Sequence, residues 1–507
     1  MKLKYILLFF ITLLLISWIY DYNQILFYRP MSIHTWRQTD CASIALNYYQ
    51  FDMNFFHPEV HCILDGAHGY AVEECPWIYY IAAIAYKIFG FHEFLFRAIV
   101  LLLFFGGLYA VFRMTYLFTG DVFSSFVVGL FLFAFPVVAY YANNFLTNVP
   151  ALSLDLIGLY FFFSFYKSKK YRFFIFSMLT FSLCGLSKVS SLISFGALFF
   201  LFLAEVFFSK KKENSIPVFS NKILSGFLFL FVILINLSWL QWAKRYNEFH
   251  HNGLFLMDIV PLWKFSGIEI NKIFNNVLYV WFPFYFFKPT FFLTLFVLGF
   301  VFYHFKVLDK FIRNFLIVML IGGLAYAVIF YGQFNVHDYY VLCLFSILVL
   351  VLISSLVILK KKFPNLFSNK IFRIVLLLIL AINIFYSRKV LLNKYYGEFN
   401  YAVNPALYEP ELKTYLKTIG LSPNDVVVMV PDISPNTSLY LANLKGGTNF
   451  PRNAEEEIPI NIDVASRMKC IIVTDTNYLK RAWVKKYCGK NIGNYKDINI
   501  YQIDQLR

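Results

Sequence analysis

Polar and charged side chains are concentrated in two short stretches near the start of an otherwise apolar chain. The first, His34-Thr35-Trp36-Arg37-Gln38-Thr39-Asp40, brings an imidazole, a guanidinium, an amide and a carboxylate into about two helical turns. The second, Glu73-Glu74-Cys75-Pro76-Trp77, adds two carboxylates. A carboxylate can accept a proton, and an arginine can hold a phosphate through two parallel hydrogen bonds. Because charges beside a membrane are costly and tend to be functional, the two stretches predict one site.

Composition indicates that the site belongs to a polytopic α-helical membrane protein. The 507 residues are 59% hydrophobic and 21% aromatic, and the mean hydropathy is +0.61. Many apolar runs reach the length needed to cross a bilayer. The net charge of +16 is carried mainly by short loops between these runs, so the basic residues are interpreted as topology determinants and no nucleic-acid partner is expected.

The hydrophobic pattern predicts about eleven transmembrane helices, beginning with an uncleaved anchor at residues 4–20. Residues 77–89 are short for a span and are interpreted as an interfacial helix. Basic clusters such as Lys167–Arg172, Lys210–Lys212 and Lys360–Lys362 then face the cytoplasm. We therefore expect a multi-pass inner (plasma) membrane protein with a cytoplasmic N-terminus and an extracytoplasmic C-terminus.

The organisation that follows is a transmembrane domain over residues 1–390 and a second domain over residues 391–507. The polar stretches lie in an outer loop at about residues 21–93. In the C-terminal part, short apolar runs at 426–430, 470–473 and 498–501 alternate with helix-like segments, which predicts a small extracytoplasmic α/β domain. No glycine-rich phosphate loop follows the first of these strands, so nothing supports nucleotide binding.

Cysteines and histidines leave several interpretations open. Cys62 with Cys75 and Cys470 with Cys488 could form disulfides in an oxidising compartment. A divalent metal could bind at Glu73 and Glu74 with the help of an outer histidine, for which His337 is the candidate. Ordinary hydrogen-bonded loop histidines are the alternative, and Pro58 argues against a helical His57-x3-His61 metal pair.

Several short motifs, taken in order, resemble those of the GT-C membrane glycosyltransferases that use polyprenyl-phosphate sugars. The likeness is greatest to the family-39-type branch, the relatives of protein O-mannosyltransferases and of lipid A aminoarabinose transferases. It covers about the first 390 residues. The motifs are Ile44-Ala45-x3-Tyr49, the Glu73–Pro76 stretch, Phe89-Gly90, Glu93-Phe94-x2-Arg97, Gly185-Leu186-Ser187-Lys188 and His337-Asp338-Tyr339-Tyr340. The early Asp-Glu pair of that family falls on Arg37-Gln38, which leaves Asp40 as the only carboxylate of the first stretch.

The resemblance implies transfer of a hexosyl or pentosyl group from a polyprenyl-phosphate donor to a lipid, glycan or protein acceptor outside the cytoplasm. Such a transfer needs a carboxylate to take the acceptor proton and cations to steady the departing phosphate. Asp40 is the candidate base, with Glu74 as the second catalytic candidate. A single displacement with inversion needs no covalent intermediate. The expected substrate-binding residues are His34, Arg37, Gln38, Arg97, Lys188, His337, Asp338 and Tyr340.

Each assignment has a structural alternative. Arg37 and Asp40 could form an ion pair within one helix. Glu73-Glu74 could be a favourable charge pair at a helix start, and Lys188 could extend to the lipid headgroups. His337-Asp338 could simply begin a helix.

Two other classes of function also remain open. A transporter or flippase for a lipid-linked substrate would carry charged or broken helices near the bilayer midplane, whereas the charges seen here concentrate at the outer rim. A non-catalytic scaffold that displays the C-terminal domain would leave both polar stretches unexplained.

Overall fold

The structure is a computed structural model and describes residues 2–63, 68–208, 217–255, 259–397, 403–450 and 467–503. The chain divides into two compact units. The first comprises Met1–Ile25, Val100–Trp239 and Asp258–Leu392, and the second comprises Leu26–Ile99, Leu240–Met257 and Asn393–Arg507. The second unit thus contains both polar stretches and the C-terminal region.

Six helices are long and apolar enough to cross a membrane, as far as the described residues show. They are Glu93–Thr119, Asn148–Ser168, Lys222–Phe249, Lys310–Ile329, Asp338–Lys362 and Lys370–Tyr396. Two bent pairs would raise the number to eight: Val122–Ala134 with Pro136–Ala142, and Gly267–Tyr285 with Lys288–Tyr303. The chain is therefore a multi-pass membrane protein, as the sequence predicts.

Four shorter apolar helices accompany these spans: Leu3–Ile19, Trp77–Phe89, Tyr171–Ser187 and Ile193–Phe208. A total of about eleven spans requires three of the four to cross as well, so that number stays a prediction. The 13-residue helix Trp77–Phe89 is the shortest of them. It buries Tyr79 and Tyr86 and leaves Ile88 and Phe89 exposed. An exposed apolar edge on so short a helix is what an interfacial helix needs.

Small residues let helices of the first unit approach closely. A Cβ atom at Gly107 would lie 2.8 Å from the Cα and Cβ atoms of Ser153, and one at Gly158 would lie 3.0 Å from the ring of Phe181. The hydroxyl of Ser177 donates to the carbonyl of Gly158 at 2.8 Å. Lipid tails are as apolar as the helix surfaces, so the hydrophobic effect does not drive the helices together. Close packing and interhelical hydrogen bonds must therefore hold them.

Two of the predicted basic clusters meet at one end of the first unit, whereas Lys210–Lys212 lies outside the described residues. Asp309 pairs with Lys167 at 4.0 Å and with Lys361 at 3.7 Å. The neighbouring Lys360 ammonium donates to the carbonyl of Thr119 at 2.5 Å. Loops that are far apart in sequence thus present their positive charge on the same side, the arrangement that the positive-inside rule requires of cytoplasmic loops.

Shorter helical segments complete the first unit. They are Tyr22–Ile25, Val189–Ser191, Leu262–Lys264, Phe305–Val307, Tyr331–Asn335 and Pro364–Ser368. In the described part of the second unit the helices, apart from the ends of spans, are Thr35–Gln50, Trp77–Phe89, Pro405–Tyr408, Pro410–Thr418, Thr437–Ala442, Thr476–Lys480 and Ala482–Tyr487.

A five-stranded sheet forms the centre of the C-terminal region. Its strands are β1 (Val426–Val430), β2 (Lys445–Gly447), β3 (Met468–Val473), β4 (Cys488–Tyr495) and β5 (Ile498–Ile503), in the order β2-β1-β3-β5-β4. β1 is parallel to β2 and β3, whereas β5 is antiparallel to β3 and β4. All five residues of β1 are buried, as expected for a central parallel strand. The small C-terminal sheet and its three predicted strands are confirmed.

All seven cysteines are free thiols. The Cys62–Cys75 and Cys470–Cys488 disulfides that the sequence left open do not form in the structure.

Candidate functional site

The helix Thr35–Gln50, here called the site helix, is buried along most of its length, and its first turn is fixed by side-chain hydrogen bonds. The backbone of His34 just before it is left-handed, with φ of 54°. The side-chain amide of Gln38 donates to the carbonyls of Met31 at 2.8 Å and Ile33 at 2.9 Å. Gln38, predicted to bind substrate, therefore holds the loop that precedes the site helix.

Arg37 joins the two polar stretches. Its Nη2 donates to both carboxylate oxygens of Glu74 at 2.7 Å and lies 2.9 Å from Oε2 of Glu73. Burial lowers the pKa of Arg37, but Glu73 and Glu74 outweigh it and raise the pKa well above its usual value. The prediction that both stretches form one site is supported by this geometry, and the alternative of an Arg37–Asp40 ion pair is not what forms.

Glu74 is the more enclosed of the two carboxylates. Its side chain is 4% exposed, compared with 24% for Glu73. The hydroxyl of Tyr79 donates to Oε1 of Glu74 and also lies 3.3 Å from the thiol of Cys41. Both oxygens of Glu74 are thus engaged, which favours a positioning role over the catalytic role expected from sequence.

Asp40 lies one turn beyond Arg37 and is 4% exposed. Its Oδ1 is buried and accepts no hydrogen bond from any residue in the described part of the chain. Burial raises the pKa of Asp40 to about 7; Arg37 opposes this increase, while Glu73, Glu74 and Asp432 add to it. A carboxyl group that titrates near neutral pH is suited to accept and release a proton there.

The loop after β1 contributes a carboxylate that the sequence interpretation missed. Asp432 accepts backbone hydrogen bonds from Ser434 at 2.8 Å and Ser438 at 2.7 Å. Burial raises its pKa, and these hydrogen bonds oppose the increase. The available signal was an acid two residues after the end of the buried strand β1, because ligand sites gather at the carboxyl ends of parallel strands.

Further hydrogen bonds tie the site helix to that loop. The amide of Asn436 donates to the carbonyl of Thr39 at 3.3 Å, and the hydroxyls of Thr39 and Thr437 are 3.2 Å apart. Asn436 also accepts a hydrogen bond from the backbone of Cys62 at 3.1 Å. The site therefore depends on contacts between segments that are far apart in sequence: Thr39 and Asn436 are separated by 397 positions.

His57 and His61 each have ordinary hydrogen-bonding or ion-pair partners. His61 is 1% exposed, with its Nδ1 2.6 Å from the hydroxyl of Ser43 and its Nε2 3.3 Å from Oδ1 of Asn443. Burial lowers its pKa to about 3, so the ring stays neutral. His57 instead pairs with Asp52 at 3.1 Å. The two rings have separate partners, as expected from the proline between them.

Arg97 is fully buried in the second unit. It donates to the carbonyls of Tyr28 at 3.0 Å and Arg29 at 3.3 Å, and lies 3.4 Å from the hydroxyl of Tyr395. Through these hydrogen bonds Arg97 holds in place the loop that follows the first helix. Its expected contact with substrate stays a prediction.

The remaining predicted residues form a second cluster, which belongs to the first unit. The ammonium of Lys188 lies 5.6 Å from the ring centroid of Tyr340. The ring of His337 is tilted by 31° against the same ring, with the centroids 5.8 Å apart. Asp338 is fully buried and accepts a hydrogen bond from the hydroxyl of Tyr141 at 2.7 Å. The structure thus brings Lys188, His337, Asp338 and Tyr340 together within one unit.

The side chains around Glu73 and Glu74 determine whether a divalent metal could bind there. No group of three or more histidine, cysteine, aspartate and glutamate side chains is arranged to hold a metal ion within the described ranges. Glu73 and Glu74 supply two carboxylates, but the cation between them is Arg37. The described residues do not fit a bound divalent metal here, and a metal requirement stays a prediction.

Solved structures of other proteins share this fold over nearly the whole length of the chain. The structure resembles ArnT from Cupriavidus metallidurans bound to undecaprenyl phosphate, with a TM-score of 0.64 and 11% identity over 99% of this chain and 98% of that chain. It also resembles the Archaeoglobus fulgidus oligosaccharyltransferase in its apo form, with a TM-score of 0.55 and 14% identity over 92% of this chain and 69% of that chain. No protein-family model matches the sequence, and no curated protein matches it.

A third similar structure is the arabinofuranosyltransferase AftD from Mycobacteria, with a TM-score of 0.52 and 11% identity over 96% of this chain and 40% of that chain. All three similar proteins are GT-C glycosyltransferases. At these identities the likeness concerns the fold. The chain therefore has the fold of the GT-C membrane glycosyltransferases, as its motifs led us to expect.

Proposed function

We propose that this protein transfers a sugar from a polyprenyl-phosphate donor to a hydroxyl group of a lipid, glycan or protein acceptor. The observation that carries the proposal is Asp40, a buried carboxyl group with a pKa of about 7 and with Oδ1 free of described partners. The fold of the chain resembles that of ArnT from Cupriavidus metallidurans, whose structure was determined bound to undecaprenyl phosphate. We place the reaction at the extracytoplasmic face of the inner membrane, with the N-terminus in the cytoplasm and the C-terminus outside.

The proposed step is a single displacement with inversion. The acceptor oxygen attacks the anomeric carbon and gives its proton to a carboxylate oxygen of Asp40. The bond between the anomeric carbon and the phosphate oxygen breaks on the opposite face, and the polyprenyl phosphate leaves with the electron pair. Because phosphate is already a good leaving group, no covalent enzyme intermediate is needed. Asp40 is the base rather than Glu74, since both oxygens of Glu74 are engaged.

Arg37 is proposed to steady the phosphate. Both of its hydrogen bonds to Glu74 use Nη2, and Nη1 and Nε donate none to any residue within the described ranges. These remaining N–H groups can bind two phosphate oxygens in the planar geometry that a guanidinium offers. Glu73 and Glu74 hold the guanidinium in place, so that it need not be ordered when substrate arrives.

The cluster of the first unit is proposed as a second set of substrate contacts. Lys188 offers a point charge, and the rings of Tyr339 and Tyr340, 5.5 Å apart, offer apolar faces for a sugar or a lipid chain. Roles for His34, His337 and Asp338 in substrate binding are proposals of the same kind.

A transporter or flippase is the second candidate, and one observation favours it. Asp155 lies inside the candidate span Asn148–Ser168, where Ser194 donates to its Oδ2 at 2.9 Å and its Oδ1 has no partner within the described chain. Ionisable groups inside spans often serve ion or substrate pathways. However, Asp155 is only about 10 Å along the helix from Asn148, which is nearer the rim than the midplane expected of a transporter.

The two candidates are separated by incubating the purified full-length protein in detergent with radiolabelled polyprenyl-phosphate sugars and a mixed acceptor extract. Loss of label from the donor lipid together with its appearance in a new product supports the transferase. Movement of intact labelled lipid between leaflets of proteoliposomes without loss of sugar would contradict it and support the flippase.

A further inference from the structure

A cavity of about 640 Å³ lies in the second unit, apart from Asp40 and Arg37. Among the described residues, the charged side chains on its wall are Arg29, Glu93 and Lys413, and most of the other lining residues are aromatic. Its volume falls within the usual range of small-molecule sites, and a few polar groups among aromatic walls are typical of such sites.

Arg29 and Glu93 neutralise each other. Nε of Arg29 lies 3.0 Å from Oε1 of Glu93, and the two Nη atoms donate to the carbonyls of Leu407 and Leu441, each at 3.1 Å. The hydroxyl of Tyr440 donates to the same oxygen of Glu93 at 3.0 Å. These contacts hold the pair in place, so among the described lining residues Lys413 carries the one charge that is not balanced by a neighbour on the wall.

No group among the described residues accepts a hydrogen bond from the ammonium of Lys413. The ammonium lies over the ring of Phe91, 5.1 Å from the ring centroid. Burial and the nearby Arg29 lower the pKa of Lys413 to about 8, although Glu93 acts in the opposite direction. A half-buried ammonium without an acceptor is costly, and an anionic ligand with several oxygens would relieve that cost.

The position of the cavity indicates where such an anion comes from. Glu93 is the first residue of the span Glu93–Thr119, and Tyr395 and Tyr396 are the last residues of the span Lys370–Tyr396. The ends of spans lie at the headgroup level, where tyrosines are enriched. Lipid phosphates are the anions present in quantity at that level.

We propose that this cavity binds the phosphate of an anionic membrane lipid, with Lys413 as the contact that selects for charge and Tyr28, Phe91 and Tyr408 as the walls around the headgroup and upper chain. The inference does not depend on the proposed transferase activity, because binding is measured without donor or acceptor.

The test titrates delipidated full-length protein with phosphatidylglycerol or with phosphatidylcholine and counts bound lipids by native mass spectrometry. The wild type is expected to bind one phosphatidylglycerol at least tenfold more tightly than phosphatidylcholine. Lys413→Gln is expected to abolish that preference, and Lys413→Arg to keep it. Lys417→Gln is the matched control, since Lys417 is exposed on the same helix, Pro410–Thr418.

A wild-type preference that survives in Lys413→Gln, or is lost equally in Lys417→Gln, would overturn the proposal. A separate arm replaces lipid with inorganic phosphate and follows thermal stabilisation of the protein. Stabilisation by inorganic phosphate that requires Lys413, without any preference for phosphatidylglycerol, would assign the cavity to a soluble phosphate and would likewise overturn the lipid proposal.

Discussion

The guanidinium of Arg37 donates to Glu74, 37 positions further along the chain, and not to Asp40 on its own helix. This pairing separates the roles of the three charged groups. Arg37 and Glu74 hold each other in place, while Oδ1 of Asp40 accepts no hydrogen bond from any described residue. Burial is the main cause of the raised pKa of Asp40; Arg37 opposes the increase, and Glu73 and Glu74 add to it.

The first prediction concerns the pH dependence of transfer. Glu73 raises the pKa of Asp40 and Arg37 lowers it. Because the base must be ionised, activity rises with pH through the pKa of Asp40. Glu73→Gln should therefore move the acid limb of the profile of kcat/KM against pH to lower pH by about one unit, and Arg37→Gln should move it to higher pH.

Exposed residues supply the controls for that experiment, namely Glu411→Gln and Arg245→Gln, which should leave the limb in place. Limbs that move in the same direction in Glu73→Gln and Arg37→Gln, or that do not move, would contradict the assignment of Asp40 as the titrating group.

The second prediction concerns stability. The folded state raises the pKa of Asp40 from 3.8 to about 7, so it binds the proton more tightly than the unfolded chain does. Stability from this group is complete below pH 3.8 and is lost as the pH rises through 7. Asp40→Asn should therefore gain stability relative to wild type between pH 4 and pH 8, by a few degrees in Tm measured in detergent. A flat difference, like that expected of the exposed Asp52→Asn, would argue against a raised pKa.

The sequence predicted the elements of the fold better than the contacts between them. Apolar runs mark the spans and the strands β1, β3 and β5, because burial in lipid or in a sheet demands apolar residues directly. The contact of Arg37 with Glu74 depends on the path of the loop between them. The position of Asp432 near Asp40 depends on how the loop after β1 packs against the site helix, although the two segments are far apart in sequence. Periodicity carries no information about either path.

The third prediction concerns membrane topology. Lys167 and Lys361 share Asp309, so their loops lie at one end of the first unit. Lys169→Cys and Lys361→Cys should react with a membrane-impermeant maleimide only from the cytoplasmic side, and Lys417→Cys only from outside. Protection of position 417 in intact cells, together with labelling in inverted vesicles, would reverse the proposed orientation of the C-terminus.

The fourth prediction concerns Arg97, which we regard as a positioning residue. Arg97→Gln leaves the carbonyls of Tyr28 and Arg29 without their buried donor, so it should destabilise the protein by about 2 to 4 kcal/mol. The exposed Arg172→Gln should have little effect on Tm. If Arg97 contacts the donor instead, its replacement should raise KM for the donor while leaving Tm unchanged.

The most direct measurement is the turnover of radiolabelled polyprenyl-phosphate sugar by the Asp40→Asn protein, with Asp52→Asn as the matched control. The substitution keeps the size and hydrogen bonding of the side chain but removes its basicity. We predict that turnover falls by roughly two to four orders of magnitude, the usual scale for loss of a general base, while donor binding changes little. An Asp40→Asn protein that folds, binds donor and transfers sugar at the wild-type rate would contradict the account.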